Sequence, residues 1–197
     1  MASRLSPDDV GLQLLENAAA TAGALVGLIL MFAGVSGAHF NPVVTLVDRL
    51  SGSMSTQDAV SYALAQTVGG CLGAVVANLM FELDAVNLST KDRSSGALWL
   101  SEVVATVGLL LVIHGCVRGG RRESVPYAVA AWIAGAYFFT SSTSLANPAV
   151  TVARSLSDTF AGIAPSSVPM FVAMQIVGAL VGFAVIRWVF ADPAENV

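Results

Sequence analysis

The stretch Ser142-Thr-Ser-Leu-Ala-Asn147-Pro148-Ala-Val-Thr151-Val-Ala-Arg154 decides how this chain folds. Asparagine is a favoured helix N-cap, and proline is favoured at the first helical position. Asn147-Pro148 therefore opens a helix. Arg154 brings charge within two turns, so the helix covers only ~10–14 Å at about 1.5 Å per residue. That is near half of the ~30 Å hydrocarbon layer of a membrane. A second stretch, Ser36-Gly-Ala-His-Phe-Asn41-Pro42-Val-Val-Thr45-Leu-Val-Asp48-Arg49, repeats the design. One Asn-Pro would mark an ordinary loop. Two copies in matched context mark paired half-helices, the best sequence pointer to a solute pathway.

The pairing extends beyond the boxes. Asn-Pro-x-Val-Thr recurs at an offset of 106 residues (41 to 147), and Gln-x-Val-Gly at an offset of 109 (66 to 175). Each half reads helix, broken segment, half-helix, helix. Two crossings per half with one between make the halves inverted relative to each other.

Composition sets the surroundings. Of 197 residues, 55% are hydrophobic and only 11% charged, with a mean hydropathy of +0.75. Soluble domains carry roughly a quarter charged residues, so the apolar surface here faces lipid. The net charge of −4 gives no footing for nucleic acid. Cys71 and Cys116 sit inside apolar runs and read as small buried residues, not as a disulfide or a metal site. Apolar runs cover 11–34, 59–81, 97–117, 125–140 and 168–190. In lipid the backbone must satisfy its own hydrogen bonds, so these runs are helices. The fourth is short, and the Ser/Thr-rich stretch after it is available to extend it. The first is not expected to be a cleavable signal, being too long and lacking a basic leader apart from Arg4. Gly69 with Gly73, and Gly178 with Gly182, are small-xxx-small pairs read as helix packing. Arg118, Arg121 and Arg122 put the loop after the third run in the cytoplasm, and 82–96 outside. Lys91, Arg93 and Arg154 on the outer side reduce that bias.

HFNPVVT at 39–45 and ANPAVT at 146–151 resemble the twin boxes of aquaporins and aquaglyceroporins. SEVVATVGLLLVIHG at 101–115 is similar to that family's fourth helix, with Glu102 at the position of its buried glutamate. The resemblance covers the whole chain. It implies an all-α integral membrane protein, an inverted-repeat bundle of six helices with two re-entrant half-helices. It also implies a homotetramer in the cell membrane with one pore per subunit. The expected organisation is a single channel domain over 1–197: a first repeat at 1–81, a loop at 82–96 and a second repeat at 97–190. Five full helices are present where the family has six. Glu102 would have its counterpart at −4, before Met1, and residues 1–10 resemble the loop after an absent first helix. The expectation is that this helix is encoded upstream of Met1; an in-frame stop with no apolar run upstream would refute it.

The resemblance also implies the pore residues. The boxes are Asn41, Pro42, Val43 and Asn147, Pro148, Ala149, with Val43 in place of alanine. The half-helix N-termini meet at the midplane, where their dipoles disfavour cations and protons, and the asparagines offer N–H donors to a passing oxygen. Carbonyl acceptors come from Gly37, Ala38, His39 and Phe40, and from Thr143, Ser144, Leu145 and Ala146. The constriction positions are Thr21, Gly135, Ser144 and Val150. Water-selective members carry arginine where Val150 stands; here the nearest cation is Arg154, a turn further on. That predicts a wider, less polar constriction, unless neighbours such as Tyr137 or Phe138 fill it. Glu102 is read as a structural acceptor for the loop before the second box. His39 is either a proton-sensitive gate or, as favoured, a loop-fixing group. His114 is read as an interfacial side chain. Glu16 and Asn17 either line the outer vestibule or cap and pack.

The reading is thus a passive channel for small uncharged solutes larger than water. Valine in place of the filter arginine resembles a bacterial subgroup associated with arsenic handling. Neutral arsenite and methylated arsenicals lead, with glycerol and urea behind. A water-selective pore is the alternative within channels. A coupled transporter would need a midplane ion-binding carboxylate beside a box, and neither box carries one. A nonconducting membrane protein follows only if the sixth helix is genuinely absent. No nucleophile–base pair, metal cluster or cofactor motif points to an enzyme.

Overall fold

The structure, a computed structural model, describes residues 1–190. Residues 191–197, the tail of the expected domain 1–197, lie outside the described residues. The elements are α1 (Ala2–Leu5), α2 (Val10–Ser36), α3 (Pro42–Leu50), α4 (Thr56–Met80), α5 (Gly96–Arg118), α6 (Val125–Phe139), α7 (Pro148–Arg154) and α8 (Val168–Val189). Four of the helices, α2, α4, α5 and α8, are long and apolar enough to cross a membrane. Helix α6 has 15 residues, or about 22 Å. The Ser/Thr stretch after it does not prolong it. Thr140 leaves the helical region at ψ 141, and its hydroxyl donates to Ala136 O at 2.6 Å, closing the end. A 3-10 turn at Arg122–Ser124 lengthens the other end instead.

Most long helices start on a side-chain cap: Asp9, Ser55 and Ser95 each accept from a first-turn N–H. Helix α2 ends at Gly37, which takes the left-handed conformation (φ 71) that glycine adopts without strain. Helices α3 and α7 are nine and seven residues long, each with asparagine at the N-cap and proline at the first position.

Packing is closest where small residues meet. Helix α5 lies along α8, and a Cβ added to Gly178 would stand 2.9 Å from Thr106 Cβ and 3.0 Å from Val103 O. Gly182 is equally tight against Leu110. At the α5–α6 joint, a Cβ on Gly108 would fall 1.9 Å from the Trp132 ring. That ring is held by its N–H donating to Ala105 O at 3.0 Å and by an edge contact with Phe139. By contrast, Gly69 and Gly73 on α4 have nothing within 4 Å. Val60, Leu64, Val68, Leu72 and Val76 form an exposed apolar stripe along α4. Spacing by four keeps them on one face, the signature of a lipid- or helix-facing surface.

The loop over 82–96 pairs with the segment after α7. Asn87 N–H donates to Leu156 O and Ser89 N–H to Ser155 O, each at 3.0 Å. Asp158 accepts from Thr90 N–H at 3.0 Å; these bonds hold its carboxyl below the usual range. The loop over 82–96 therefore rests on the end of the second repeat.

Gly108→Ala should destabilise the bundle by about 1–3 kcal/mol, the usual cost of overpacking, because Trp132 cannot swing away without losing its bond to Ala105. Thermal unfolding in detergent checks this; a melting midpoint unchanged from the parent would contradict it.

Candidate functional site: a central cavity between two half-helices

The half-helices begin at a crossed latch. Asn41 caps its own helix, accepting from Val43 N–H at 3.1 Å. Its amide donates across to Ala146 O at 2.8 Å. Asn147 accepts from Ala149 and Val150 N–H at 3.0 and 3.2 Å. Its amide donates back to Phe40 O at 2.8 Å. Each carboxamide has two N–H donors, so the latch leaves one per asparagine for a passing oxygen.

The loops before the boxes take matching backbone conformations. Left-handed φ occurs at Gly37 (71) and Thr143 (61), at Ala38 (51) and Ser144 (52), and at Phe40 (48) and Ala146 (45). Each pair is separated by the 106-residue offset of the repeat (37 to 143, 38 to 144, 40 to 146). Non-glycine residues there cost roughly 1–2 kcal/mol each, so surrounding bonds must over-determine the loops.

Those bonds differ between the halves. The second loop is held by Glu102, which is wholly buried. It accepts from Leu145 N–H at 3.0 Å and Ala146 N–H at 2.7 Å. Gln175 donates to the same carboxylate at 2.6 Å and to Thr151 at 2.8 Å. The first loop is held by His39. Its ring bonds Thr45 Oγ1 at 3.0 Å, lies 3.0 Å from Asp48 and packs against Tyr62. Gln66 donates to Thr45 at 3.1 Å, and its carbonyl oxygen, like that of Gln175, has no partner.

Between these supports runs a cavity of about 1070 Å³. Apolar stripes line it: Leu25, Ile29 and Ala33 of α2, Leu109 and Ile113 of α5, Val129 and Ile133 of α6, and Phe183 and Ile186 of α8. The loops before the boxes line it through Gly37, Ala38, His39, Phe40, Ser144, Leu145 and Ala146, and both box asparagines line it too. Thr143 does not line it. Pro42, Val43, Pro148 and Ala149 also lie off the lining; Val43 and Ala149 are buried in the packing behind it.

Thr21, Ser144 and Val150 line the cavity as the spacing predicts, but Gly135 does not. Gly135 is exposed, and its only near neighbour is the Phe139 ring. Tyr137, two residues on, takes the place on α6 and bonds Thr21 Oγ1 at 3.1 Å. Phe138 is 54% exposed and points away. The Ser144 hydroxyl is buried without a partner. The lining here thus brings Thr21, Tyr137, Ser144 and Val150 together without a charged side chain, with Arg154 a turn beyond Val150.

Charges gather at the ends. Asp48, Arg118, Arg122, Glu123 and Arg187 stand at one mouth. His114 lines this end rather than a lipid interface, its ring bonded to Leu110 O at 3.0 Å. Glu16 accepts from Ser6 at 2.8 Å, and Asn17 lines a smaller recess with Arg4, Asn78 and Arg154. Sequence reading named Tyr137 only as a neighbour able to fill the constriction, and it missed the buried Arg93 of the loop over 82–96. Arg93 has no motif signal, since buried and solvated loop arginines look alike in sequence. Among the described residues, no group of three or more His, Cys, Asp or Glu could hold a metal ion.

The sequence profile described as major intrinsic protein matches residues 2–145. The chain is similar to "Aquaglyceroporin AqpS" of Rhizobium meliloti (strain 1021), at 45% identity over 197 residues, all of this chain and 83% of that one. It is 32% identical over 121 residues to "Probable aquaporin TIP-type alpha" of Phaseolus vulgaris, covering 58% of this chain and 46% of that one. It is 29% identical over 165 residues to "Aquaporin NIP1-1" of Zea mays, covering 81% and 57% respectively. The chain spans about half the length of these last two.

Glu102→Gln should lower stability by about 2–3 kcal/mol, because a carboxamide offers one oxygen to three donors and strands a buried N–H. The readout is the melting midpoint of the detergent-solubilised protein; parental stability would rule out this role for the carboxylate.

Proposed function

We propose that this chain, which belongs to the major intrinsic protein family, passes small uncharged solutes bulkier than water through the cavity between its half-helices. The protein is a multi-pass integral membrane channel of the cell membrane, and its transport is passive. A strictly water-selective pore is the less favoured reading. The observation that carries this reading is Val150, which lines the cavity where a filter arginine would stand, beside Thr21, Tyr137 and Ser144; Tyr137 takes up part of the room that arginine leaves. This constriction holds the Thr21–Tyr137 hydroxyl pair and a valine, and no charge. Pore width and lining donors set this kind of selectivity.

The mechanism follows from the helix ends. Each half-helix presents roughly half a positive charge at its N-terminus. The free amide hydrogens of Asn41 and Asn147 give a solute oxygen two donors there. The αL loops give carbonyl acceptors on the approach. The apolar stripes opposite leave a polyhydroxylated or ureido solute with one wet flank and one dry one. Neutral arsenite, methylated arsenicals, glycerol and urea fit this pattern. The relative named an aquaglyceroporin supports the class. Glu102, the carboxylate behind the second box, is held by three donors and stays off the cavity lining, which argues against ion coupling there. The family's chemistry is permeation, so the chain is read as a channel and not an enzyme. Homotetrameric assembly, the single domain over 1–197 and a cytoplasmic Arg118–Arg122 mouth complete the proposal.

The repeat also supports a sixth helix seated on α4. Gly69 and Gly73, which have nothing within 4 Å, are the counterparts of Gly178 and Gly182, which α5 covers. Gly69→Leu should block that seat and abolish flux; full flux in the variant removes the idea.

Proteoliposomes carrying the protein should take up glycerol, urea and neutral arsenite well above empty vesicles. Fast water flux without solute flux would refute the wide pore. Val150→Arg should cut solute uptake at least about tenfold, equivalent to roughly 1.4 kcal/mol of added barrier, while sparing water.

A further inference from the structure

Arg93 lies behind the constriction, not in it. Its residue is only 4% exposed. The guanidinium donates to Ser142 O at 2.7 Å and to Gly162 O at 2.9 Å. Its backbone N–H donates to Ser167 Oγ at 3.0 Å. Among the described residues no carboxylate stands within ion-pair distance of it. Burial lowers its pKa, with the more distant Glu102 acting in the opposite sense, yet guanidinium remains charged in proteins. A buried charge without a counter-ion is costly. Carbonyl dipoles satisfy this one without cancelling its net charge.

The Ser142 carbonyl is two residues from Ser144, which lines the cavity. Ser142 Oγ also accepts from Ser144 N–H at 3.1 Å. Two residues reach at most about 7 Å, so the guanidinium is on the order of 10 Å from the lumen. At an effective dielectric of about 20, a unit charge at that range changes a monovalent ion's local concentration on the order of tenfold. The other charges nearby are accounted for. Lys91 turns to Phe160 O at 2.8 Å. Asp92 is held by Ser94 and Ser167. The Glu102 carboxylate, held by three donors that likewise leave its net charge in place, offsets part of this potential from the other end of the same loop. Arg154 lines the lumen directly.

We propose that Arg93 is a specificity-determining residue: from behind the loop over 142–146 it gives the constriction a positive potential that turns cations away while leaving the lumen wide. Charge is thereby separated from bulk. An arginine at position 150 would supply both together; valine there with Arg93 behind supplies charge alone. This rests on the cavity being the solute path, and the experiment separates the two.

With Cys71 and Cys116 replaced by alanine, Val150→Cys places a thiol on the lining. It is modified in reconstituted protein with anionic ethylsulfonate and cationic ethyltrimethylammonium methanethiosulfonates. Rates are normalised to those with free 2-mercaptoethanol. The anionic reagent should be favoured. Arg93→Gln should reduce that preference about tenfold, and Arg93→Lys should restore most of it. An unchanged preference in Arg93→Gln overturns the proposal, as does failure of lysine to restore it. If Arg93→Gln does not fold, Arg154→Gln is made with Arg93 intact. Persistence of the anion preference then supports Arg93, and its disappearance assigns the potential to Arg154 and overturns the proposal. Failure of both reagents to reach the introduced thiol would refute the pore reading itself, whereas equal modification by both would refute only the role of Arg93.

Discussion

Everything in this structure depends on two side-chain amides crossing a twofold centre. Asn41 donates to Ala146 O and Asn147 to Phe40 O. Each asparagine also caps the helix that follows it. One side chain therefore ends a loop, starts a helix and joins it to the opposite loop. The pairing fixes the helix ends at one point, and with them the positive end of each dipole.

Two hydrogen bonds of about 1 kcal/mol each do not offset the left-handed non-glycine residues Ala38, Phe40, Thr143, Ser144 and Ala146 at roughly 1–2 kcal/mol each. The flanking supports supply the difference, and they are unequal. Glu102 gives the second loop charge-assisted bonds of about 1.5–3 kcal/mol. The first loop relies on His39 between Thr45 and Asp48. Its counterpart of Gln175 is Gln66, which donates to Thr45 alone where Gln175 donates to both Glu102 and Thr151. The repeat is thus symmetric in backbone and asymmetric in anchoring. Perturbations of the first loop therefore act through a mouth-facing His39–Asp48 contact, and perturbations of the second through a sealed carboxylate.

What was legible in the sequence is what local chemistry decides. Asn-Pro specifies cap and first turn wherever it stands, so both half-helices were readable to the residue. The 106-residue offset reappears in the paired φ values because identical local problems have identical solutions. Long apolar runs gave the spanning helices within a few residues. What escaped depends on register and on tertiary reach. Counting back from Asn147 leads to Gly135, but the loop after Phe139 does not fix the rotation of α6, and Tyr137 faces inward instead. A Thr140 hydroxyl that ends α6 looks, in sequence, no different from one that continues it. For His114 the helix is legible while the face it presents is not, so a cavity-lining ring reads as an interfacial one. Arg93 is one cation among several in a polar loop, and only packing against Ser142 and Gly162 separates it from Lys91 two residues away.

The constriction then has two properties that sequence motifs bind together and this fold takes apart. Width is set by the side chains that touch the lumen, and potential by charges that need not touch it. A lumen lined with Thr21, Tyr137, Ser144 and Val150 discriminates weakly among neutral polar solutes, since a hydroxyl accepts or donates to any of them. Discrimination against ions has to come from elsewhere: from the half-helix dipoles at the centre and from guanidinium groups held near the mouth. The potential of a fixed charge falls only inversely with distance, so a position behind the lining keeps a part of it. Removing bulk from position 150 while keeping charge behind the wall therefore widens the range of neutral solutes without opening the path to cations.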